Sequence, residues 1–405
     1  MKKLIGPFKQ VVTLENLPAK GAISDEQLVI RENAGVLVSN DIIEAIDDFD
    51  KLVKTCDQVE RIEEDCVLLP GFVDAHTHIC FGGSRARDYA MRVAGKPYLE
   101  IARAGGGILD SVRKTREASL DALVASATQR ASRHLAEGVT TCEVKSGYGL
   151  SVEAELKMLE AIKKVNDTHA IDIVATCLAA HMRAPEYDDS MTYLNDVLEK
   201  LLPEVKARNL AKRVDIFVED TAFSVEEGRH YLNKAKAMGF DITIHADQFS
   251  TGGSALACEV GAISADHLEA STDQEVALLA KVDTVAVVLP GVTFGLGMDY
   301  APARKLLDQG ACVAIATDWN PGSAPMGDLL MQAAVLGAVE KLTTAETFAG
   351  VTFRAAKALN LHDRGQLVAG QLADLTGFAT DDYREILYHQ GKFKPYKVWK
   401  RGELV

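Results

Sequence analysis

The chain contains eight apolar runs of strand length, and segments of helical periodicity separate most of them. The runs are residues 71–78, 139–146, 171–181, 213–220, 240–247, 262–269, 282–290 and 311–318. They are rich in Val, Ile and Ala and are apolar on both faces, as strands are when helices cover one side of a sheet and packed side chains the other. The alternation predicts an α/β fold, a (β/α)8 barrel of the TIM type.

The two flanks of the chain differ from this pattern. Short alternating segments such as "EQLVIRE" precede the first run, and "ADLTGFA" and "YKVWKRGEL" follow the last helical segment. Both flanks favour β structure, and the ends of a chain often lie close together. We therefore expect residues 1–65 and 366–405 to form one small composite β-sandwich domain, with the barrel in residues 66–365.

Charge and hydropathy exclude several classes of partner. Lys and Arg number 44 against 58 Asp and Glu, which gives a formal net charge of −14. This charge disfavours binding to nucleic acid or to an anionic membrane. The N-terminus lacks the apolar core of a signal peptide, and we find no apolar run long enough to cross a membrane. We expect a soluble cytoplasmic protein.

Polar residues fall at the ends of the runs, where a parallel barrel places its functional groups. His76 and His78 end the first run, His245 the fifth, His267 the sixth and Asp318 the eighth. Residues i and i+2 of a strand point to the same face about 6.6 Å apart, so the first two histidines can converge on one ion. Three imidazoles and a carboxylate suit zinc or ferrous iron. His267 could instead be a core histidine, and Asp318 could merely start a turn.

Several longer motifs carry a family resemblance over essentially the whole chain. The stretches "PGFVDAHTH", "HADQ", "SADHLE", "ATDWNPGSAP" and "GQLADL" resemble the amidohydrolase superfamily. The stretches "FGGSRARDYAMR", "AGGGIL", "EVKSGYGL" and "CLAAHMRAPEY" are similar to the imidazolonepropionase family within it. The resemblance implies a hydrolase of histidine degradation that opens the ring of 4-imidazolone-5-propanoate to N-formimidoyl-L-glutamate by attack of a metal-bound hydroxide.

The resemblance also implies the metal site. It places one Zn²⁺ or Fe ion per chain on His76, His78, His245 and Asp318. Some members of the superfamily bridge two metals with a carboxylated lysine at the end of the fourth strand. Here that run ends in "FVED", without a lysine, which indicates a site for one metal.

The resemblance assigns catalytic roles to three residues. Asp318 moves the proton of the attacking water to the leaving nitrogen, and His267 donates a hydrogen bond to the oxyanion. Gln248 orients the ring nitrogens. Relatives carry Glu at this last position, whereas the amide of Gln248 cannot accept a proton.

The remaining candidate residues bind the substrate. Arg85 matches the arginine that holds the propanoate tail. The other predicted contacts lie in loops after the second, third and eighth runs: Tyr148, His181, Asn320, Gly322 and Ser323. The glycines of "AGGGIL" lack the lysine of a phosphate-binding loop, and we interpret them as a mobile loop.

Two other functions stay open on the residues alone. A deaminase of the same superfamily, acting on a ring such as guanine or cytosine, would share the metal ligands but needs no cation for a carboxylate tail. A non-catalytic scaffold would keep the barrel without its ligands. The sequence does not choose between zinc and iron, and a homodimer is a possible assembly.

Overall fold

The computed structural model describes the backbone of residues 1–405 and all side chains except those of Tyr98, Leu99 and Ala102. Its strands are β1 (Lys2–Val12), β2 (Ile30–Ser39), β3 (Ile42–Asp48), β4 (Gln58–Arg61), β5 (Val67–Pro70), β6 (Phe72–Asp74), β7 (Val139–Lys145), β8 (Asp172–Ala180), β9 (Arg213–Val218), β10 (Asp241–Ala246), β11 (Ser264–His267), β12 (Val285–Val288), β13 (Val313–Ile315), β14 (Leu375–Phe378), β15 (Lys397–Lys400) and β16 (Glu403–Leu404).

The helices fill most of the connections between the barrel strands. They are α1 (Phe49–Leu52), α2 (Ala86–Val93), α3 (Tyr98–Arg103), α4 (Ile108–Glu117), α5 (Leu120–Ala136), α6 (Val152–Thr168), α7 (Ser190–Asp196), α8 (Leu202–Ala207), α9 (Val225–Ala237), α10 (Gly253–Val260), α11 (Asp273–Leu279), α12 (Pro290–Leu296), α13 (Ala303–Asp308), α14 (Leu329–Glu340), α15 (Thr344–Gly350), α16 (Phe353–Ala358) and α17 (Arg384–Tyr388). Within the described part of the chain, no helix combines the length and apolarity that a membrane span requires.

Eight parallel strands form the barrel sheet in the order β6 to β13, which confirms the predicted fold. Each strand lies within one of the eight apolar runs. The two outer strands approach each other just beyond their ends, where His78 N donates to Trp319 O at 3.0 Å and Asp318 N donates to His76 O at 3.0 Å. The sheet therefore comes closest to closing at the residues predicted to hold a metal.

Strands from both flanks share a second sheet, in the order β16, β15, β14, β5, β1, β2 and β3, with β4 paired to β1. The small β-domain is thus built from the two termini, as the fold prediction expects. Val67–Pro70 pairs with β1 and with Leu375–Phe378 in this sheet, although our division assigns it to the barrel. We keep the division into 1–65 with 366–405, and 66–365, as a proposal in which β5 passes between the two parts.

A partly buried ionic cluster joins this terminal sheet to the barrel. Asp172, at the start of β8, accepts from Arg364 Nη1 at 2.6 Å, from Lys400 Nζ at 2.8 Å and from Arg401 Nη2 at 2.9 Å. Lys400 also donates to Asp374 Oδ2 at 2.6 Å. Burial acts to raise the pKa of Asp172, but the cations of Lys400 and Arg364 outweigh it and hold that pKa below its usual value.

Replacing Asp172 with Asn should destabilise the protein because three cations lose their shared carboxylate. We expect a loss of about 2 kcal/mol at pH 7, below the value for a fully buried pair, because the carboxylate is 24% exposed. The lowered pKa means that this contribution is present above the pKa of the unfolded chain, about 3.9, and is lost as the pH falls through the folded-state pKa.

Urea denaturation of both proteins at pH 7 and at lower pH measures this difference. Asp167→Asn is the matched control, because Asp167 pairs with Lys163 on an exposed helix face and should contribute less than about 0.5 kcal/mol. Equal effects of the two substitutions, or a difference that grows as the pH falls, would contradict the role given to Asp172.

Candidate metal centre and catalytic pocket

Four predicted ligands converge at the C-terminal end of the barrel. His76 and His78 follow β6, His245 lies in β10, and Asp318 follows β13. The Nε2 atom of His78 lies 3.2 Å from His76 Nε2 and 3.3 Å from His245 Nε2. Asp318 Oδ1 lies 3.1 Å from His78 Nε2 and 3.4 Å from His76 Nε2. All four residues are buried.

These spacings fit a metal ion. Ligand atoms about 2.0–2.1 Å from a tetrahedral zinc ion lie roughly 3.3 Å from one another, which matches the observed separations. Three imidazoles and one carboxylate are also a donor set that zinc or iron accepts. His76, His78 and Asp318 form one of the clusters of metal-ligating atoms in the described residues, and His76, His245 and His267 form another.

The charges at the site also favour a bound cation. Burial lowers the pKa of His78 and of His245, because an imidazolium would lose its hydration there, so both rings are neutral with a lone pair to offer. Burial and the charge of Lys145 also act to lower the pKa of His76. Its contacts with Asp266 and Asp318 outweigh them and raise that pKa to about 9. Two carboxylates therefore favour a positive charge at this point, and a metal ion supplies one.

Buried carboxylates orient two of the imidazole rings. His76 Nδ1 donates to Asp266 Oδ2 at 2.7 Å, and His245 Nδ1 lies 2.8 Å from Asp215 Oδ2. Each ring thus carries its proton on Nδ1, which leaves Nε2 free to bind a metal. Neither aspartate was predicted as a site residue, although each one interrupts an apolar run and a buried charge requires a partner.

Lys145 holds these two aspartates from below. Its Nζ lies 2.8 Å from Asp215 Oδ2, 2.7 Å from Glu143 Oε2 and 3.6 Å from Asp266 Oδ2, and the side chain is fully buried. Burial acts to lower the pKa of Lys145, but the surrounding carboxylates outweigh burial and raise that pKa, so the ammonium stays charged. Lys145 is therefore part of the charged network beneath the candidate ligands.

A cavity of about 800 Å³ opens above the ligands. The ring of His267 lies on its wall with its centroid 5.2 Å from that of His245, and its Nδ1 is 3.5 Å from Glu269 Oε2. Gln248 lies on the same wall. Glu219 holds the loop that carries Gln248, because it accepts a hydrogen bond from Phe249 N at 2.8 Å.

The backbone is strained where three strands reach this cavity. The φ angles of Asp247, His267 and Asp318 are 54°, 91° and 47°, all in the left-handed region that residues with a side chain rarely adopt. Such strain persists only where surrounding contacts hold it, and it is common at functional sites. Of these three residues, His267 and Asp318 line the cavity.

Tyr148 and His181 line the cavity beside His78. The rings of His181 and His78 stack with centroids 5.3 Å apart and an interplanar angle of 21°. Burial lowers the pKa of His181 to about 3, so this ring is neutral, and its Nδ1 donates to Gly147 O at 3.1 Å. Burial raises the pKa of Tyr148, which keeps its hydroxyl protonated. Both side chains can therefore hydrogen-bond to a ligand without adding charge.

Asn320 connects Asp318 to the loop that follows it. Its Nδ2 donates to Asp318 Oδ2 at 2.8 Å, and its Oδ1 accepts from Gly322 N at 2.7 Å and from Ser323 N at 2.8 Å. Arg85, which directly precedes α2, reaches this loop, and a methyl group built on Gly322 would overlap its Nη1. All the predicted substrate contacts thus line one cavity, together with Arg92 and Lys96.

One buried histidine lies outside the predicted site. His134, in the last turn of α5, is fully buried. Its Nε2 lies 3.2 Å from Asp74 Oδ2, and its ring packs against Trp319. Helix α5 can bury this side chain because the barrel supplies a carboxylate opposite it.

Replacing Asp215 or Asp266 with Asn should weaken metal binding by about 10- to 100-fold, because each carboxylate orients one ligand ring. Competition with a chromogenic chelator measures the Kd, and elemental analysis measures the bound metal. The control is Glu155→Gln, another buried carboxylate, which accepts from Gly149 N and Leu150 N and contacts no predicted ligand. An unchanged Kd in both Asp variants would contradict their role.

Known proteins resemble this chain along almost its full length. The model of the amidohydrolase family matches residues 67–405. An imidazolonepropionase of Fusobacterium nucleatum subsp. nucleatum is 41% identical over 402 residues, which is 98% of this chain and 97% of the relative. An imidazolonepropionase of Bacillus cereus (strain G9842) is 42% identical over 93% of this chain and 90% of the relative.

Solved structures share the fold at low sequence identity. An adenosine deaminase from Xanthomonas campestris with bound zinc superposes with a TM-score of 0.73 at 18% identity, over 99% of this chain and 92% of that one. Atrazine chlorohydrolase from Arthrobacter aurescens TC1 complexed with zinc gives a TM-score of 0.72 at 15% identity, over 99% of this chain and 94% of that one. At these identities the likeness concerns the fold.

Proposed function

This chain belongs to the amidohydrolase family, among the imidazolonepropionases, and from that premise we propose how its residues hydrolyse 4-imidazolone-5-propanoate. Water adds to the ring carbonyl carbon, the bond from that carbon to the ring nitrogen breaks, and N-formimidoyl-L-glutamate leaves. One observation supports the proposal: three candidate metal ligands, His78, His245 and Asp318, line the same 800 Å³ cavity as the guanidinium of Arg85. With the acid tail on the guanidinium, the ring would lie beside the candidate ligands.

His76, His78, His245 and Asp318 would hold one Zn²⁺ or Fe ion per chain. When bound, such an ion acidifies water from a pKa of about 15.7 toward about 7 and polarises a carbonyl oxygen. A single ion is proposed because the described residues at the end of β9 are Glu219 and Asp220, and neither is a lysine that could bridge a second metal. Glu219 accepts from backbone N–H groups of the next loop and is already engaged.

Asp318 would carry the proton between water and the leaving nitrogen. Burial acts to raise its pKa, but the contacts with His76 and His78 outweigh burial and hold it well below its usual value, so the group is a carboxylate at neutral pH. Asn320 donates to Oδ2 of Asp318, and Oδ1 of Asp318 lies against the ring nitrogens of the histidines. A held carboxylate beside the reacting water is suited to general-base and then general-acid work.

His267 and Gln248 would act on the ring. His267, on the cavity wall beside His245, would donate to the oxygen that becomes negative as water adds, a contribution of about 3 kcal/mol or more. The amide of Gln248 both donates and accepts, so it can bind ring nitrogens without exchanging a proton. Catalytic proton transfer therefore falls to Asp318.

Arg85 would bind the propanoate tail in the cavity that Tyr148 and His181 also line. A guanidinium pairs with a carboxylate through two parallel N–H bonds, which fixes both distance and direction. Asn320, Gly322 and Ser323 would contact substrate or product from the loop that Arg85 touches. The tail then sets the position of the ring above the metal ligands.

The purified protein should consume 4-imidazolone-5-propanoate, seen as loss of its ultraviolet absorbance, whereas Asp318→Asn should be inactive because an amide cannot accept the proton. Elemental analysis of both preparations separates loss of chemistry from loss of metal. Guanine and cytosine serve as control substrates for a deaminase. Turnover of either ring in place of the imidazolone, or wild-type kcat in metal-loaded Asp318→Asn, would refute this proposal.

Replacing Arg85 with Ala should raise KM far more than it lowers kcat, because the guanidinium binds a part of the substrate that does not react. We expect an increase of about 10- to 100-fold, the loss of a hydrogen-bonded ion pair. Steady-state kinetics measure both constants. Arg87→Ala is the matched control from the same helix. An unchanged KM in Arg85→Ala would contradict the role of Arg85 and would assign the tail to another cation of the cavity.

A further inference from the structure

Asp88 is a buried carboxylate that contacts Arg85. It lies on α2, three residues after Arg85, and is 6% exposed. Its Oδ2 accepts from Arg85 Nε at 2.9 Å. The same oxygen accepts from Gly107 N at 2.8 Å. One carboxylate oxygen therefore joins the guanidinium to the glycine run of residues 105–107.

The contact leaves the outer end of the guanidinium available. Arg85 presents five N–H donors, and Asp88 uses the one on Nε. The Nη1 and Nη2 groups remain, and Nη1 lies against Gly322, where any side chain would overlap it. The guanidinium is thus held on one edge by α2 and on the other by the loop after β13. This geometry restricts the direction from which a carboxylate can approach.

The glycine run is shaped to accept Asp88. A methyl group built on Gly106 would overlap Asp88 Oδ1, and Gly107 has a φ of 84°, which favours glycine. Gly107 directly precedes α4, and Ile108, the first residue of that helix, lines the catalytic cavity. The position of this wall therefore depends on the same carboxylate that holds Arg85.

Other basic side chains surround the pair formed by Arg85 and Asp88. Arg92, at the end of α2, and Lys96, just after it, line the cavity with Arg85. Burial lowers the pKa of Arg92, and the charge of Arg85 lowers it further. A negative charge on Asp88 therefore offsets repulsion between the cations and still leaves a net positive wall for an anionic tail.

We propose that Asp88 is a positioning residue that gives the enzyme its preference for a substrate with a carboxylate tail. It fixes the guanidinium of Arg85 for end-on binding of the tail and couples that binding to the wall formed by residues 105–108. The proposal rests on the function proposed above, in which Arg85 holds the propanoate.

Kinetics of the full chain with 4-imidazolone-5-propanoate and with the neutral 4-imidazolone-5-propanamide test this role. Asp88→Ala should raise KM for the acid by about 10- to 100-fold, the loss expected for hydrogen bonds to a charged group, with kcat changed far less. The amide should be affected by less than about threefold. Asp88→Asn, whose carbonyl oxygen can replace Oδ2 as acceptor, should restore most of the preference.

Two further variants separate positioning from general damage. In an Arg85→Ala background, Asp88→Ala should have no further effect on KM, because the group it positions is gone. Asp110→Ala is the matched control: Asp110 is also buried near the glycine run, but it pairs with Arg113 and Lys114. Equal losses for acid and amide, or additive effects of the two substitutions, would overturn the proposal.

A binding measurement decides the matter without turnover. Calorimetry with 3-(imidazol-4-yl)propanoate and its amide should show that Asp88→Ala weakens only the acid. A wild-type protein that binds this acid but does not hydrolyse the imidazolone refutes the proposed function and leaves Asp88 to be judged by the binding ratio. A wild-type protein that hydrolyses the imidazolone but prefers neither ligand overturns the role of Asp88 and leaves the proposed function standing.

Discussion

Three imidazole nitrogens and one carboxylate oxygen meet in a buried space at the end of the barrel, where His78 Nε2 lies 3.1 to 3.3 Å from the other three atoms. Lone pairs so close repel one another unless a cation lies between them. The rest of the interior is arranged around this requirement. Asp266 and Asp215 hold the protons of two rings away from the centre, and Lys145 balances both carboxylates. The site is therefore organised from the inner layers of the barrel outward.

The same contacts bring the barrel close to closure and assemble the site. Asp318 N donates to His76 O, and His78 N donates to Trp319 O, so the first and last strands join through the predicted ligand residues. Arg85, the predicted anchor of the substrate tail, lies in a separate layer of loops and is held between Asp88 and Gly322. The zinc-bound deaminase and chlorohydrolase structures share the fold of this chain, and one fold can carry different reactions when the residues at its site differ.

The sequence predicts what depends on local pattern. Apolar runs locate the eight strands, and polar residues at their ends locate His245, Asp318 and the His76–His78 pair, because parallel strands point the same way in a barrel. Burial of His134 against Asp74 depends instead on which helix face meets which strand, and no local signal reveals that. Pairing of Asp215 with His245 likewise depends on the register of neighbouring strands. Val67–Pro70 joins the second sheet because it pairs with β14, which lies more than 300 residues away along the chain.

Anomalous diffraction from crystals grown with zinc or iron, recorded on both sides of the absorption edge of the metal, tests the metal centre most directly. The account predicts one strong anomalous peak per chain, within bonding distance of Nε2 of His76, His78 and His245 and of a carboxylate oxygen of Asp318. A peak bound elsewhere, two peaks in the barrel, or full occupancy with any of these four side chains turned away would contradict it.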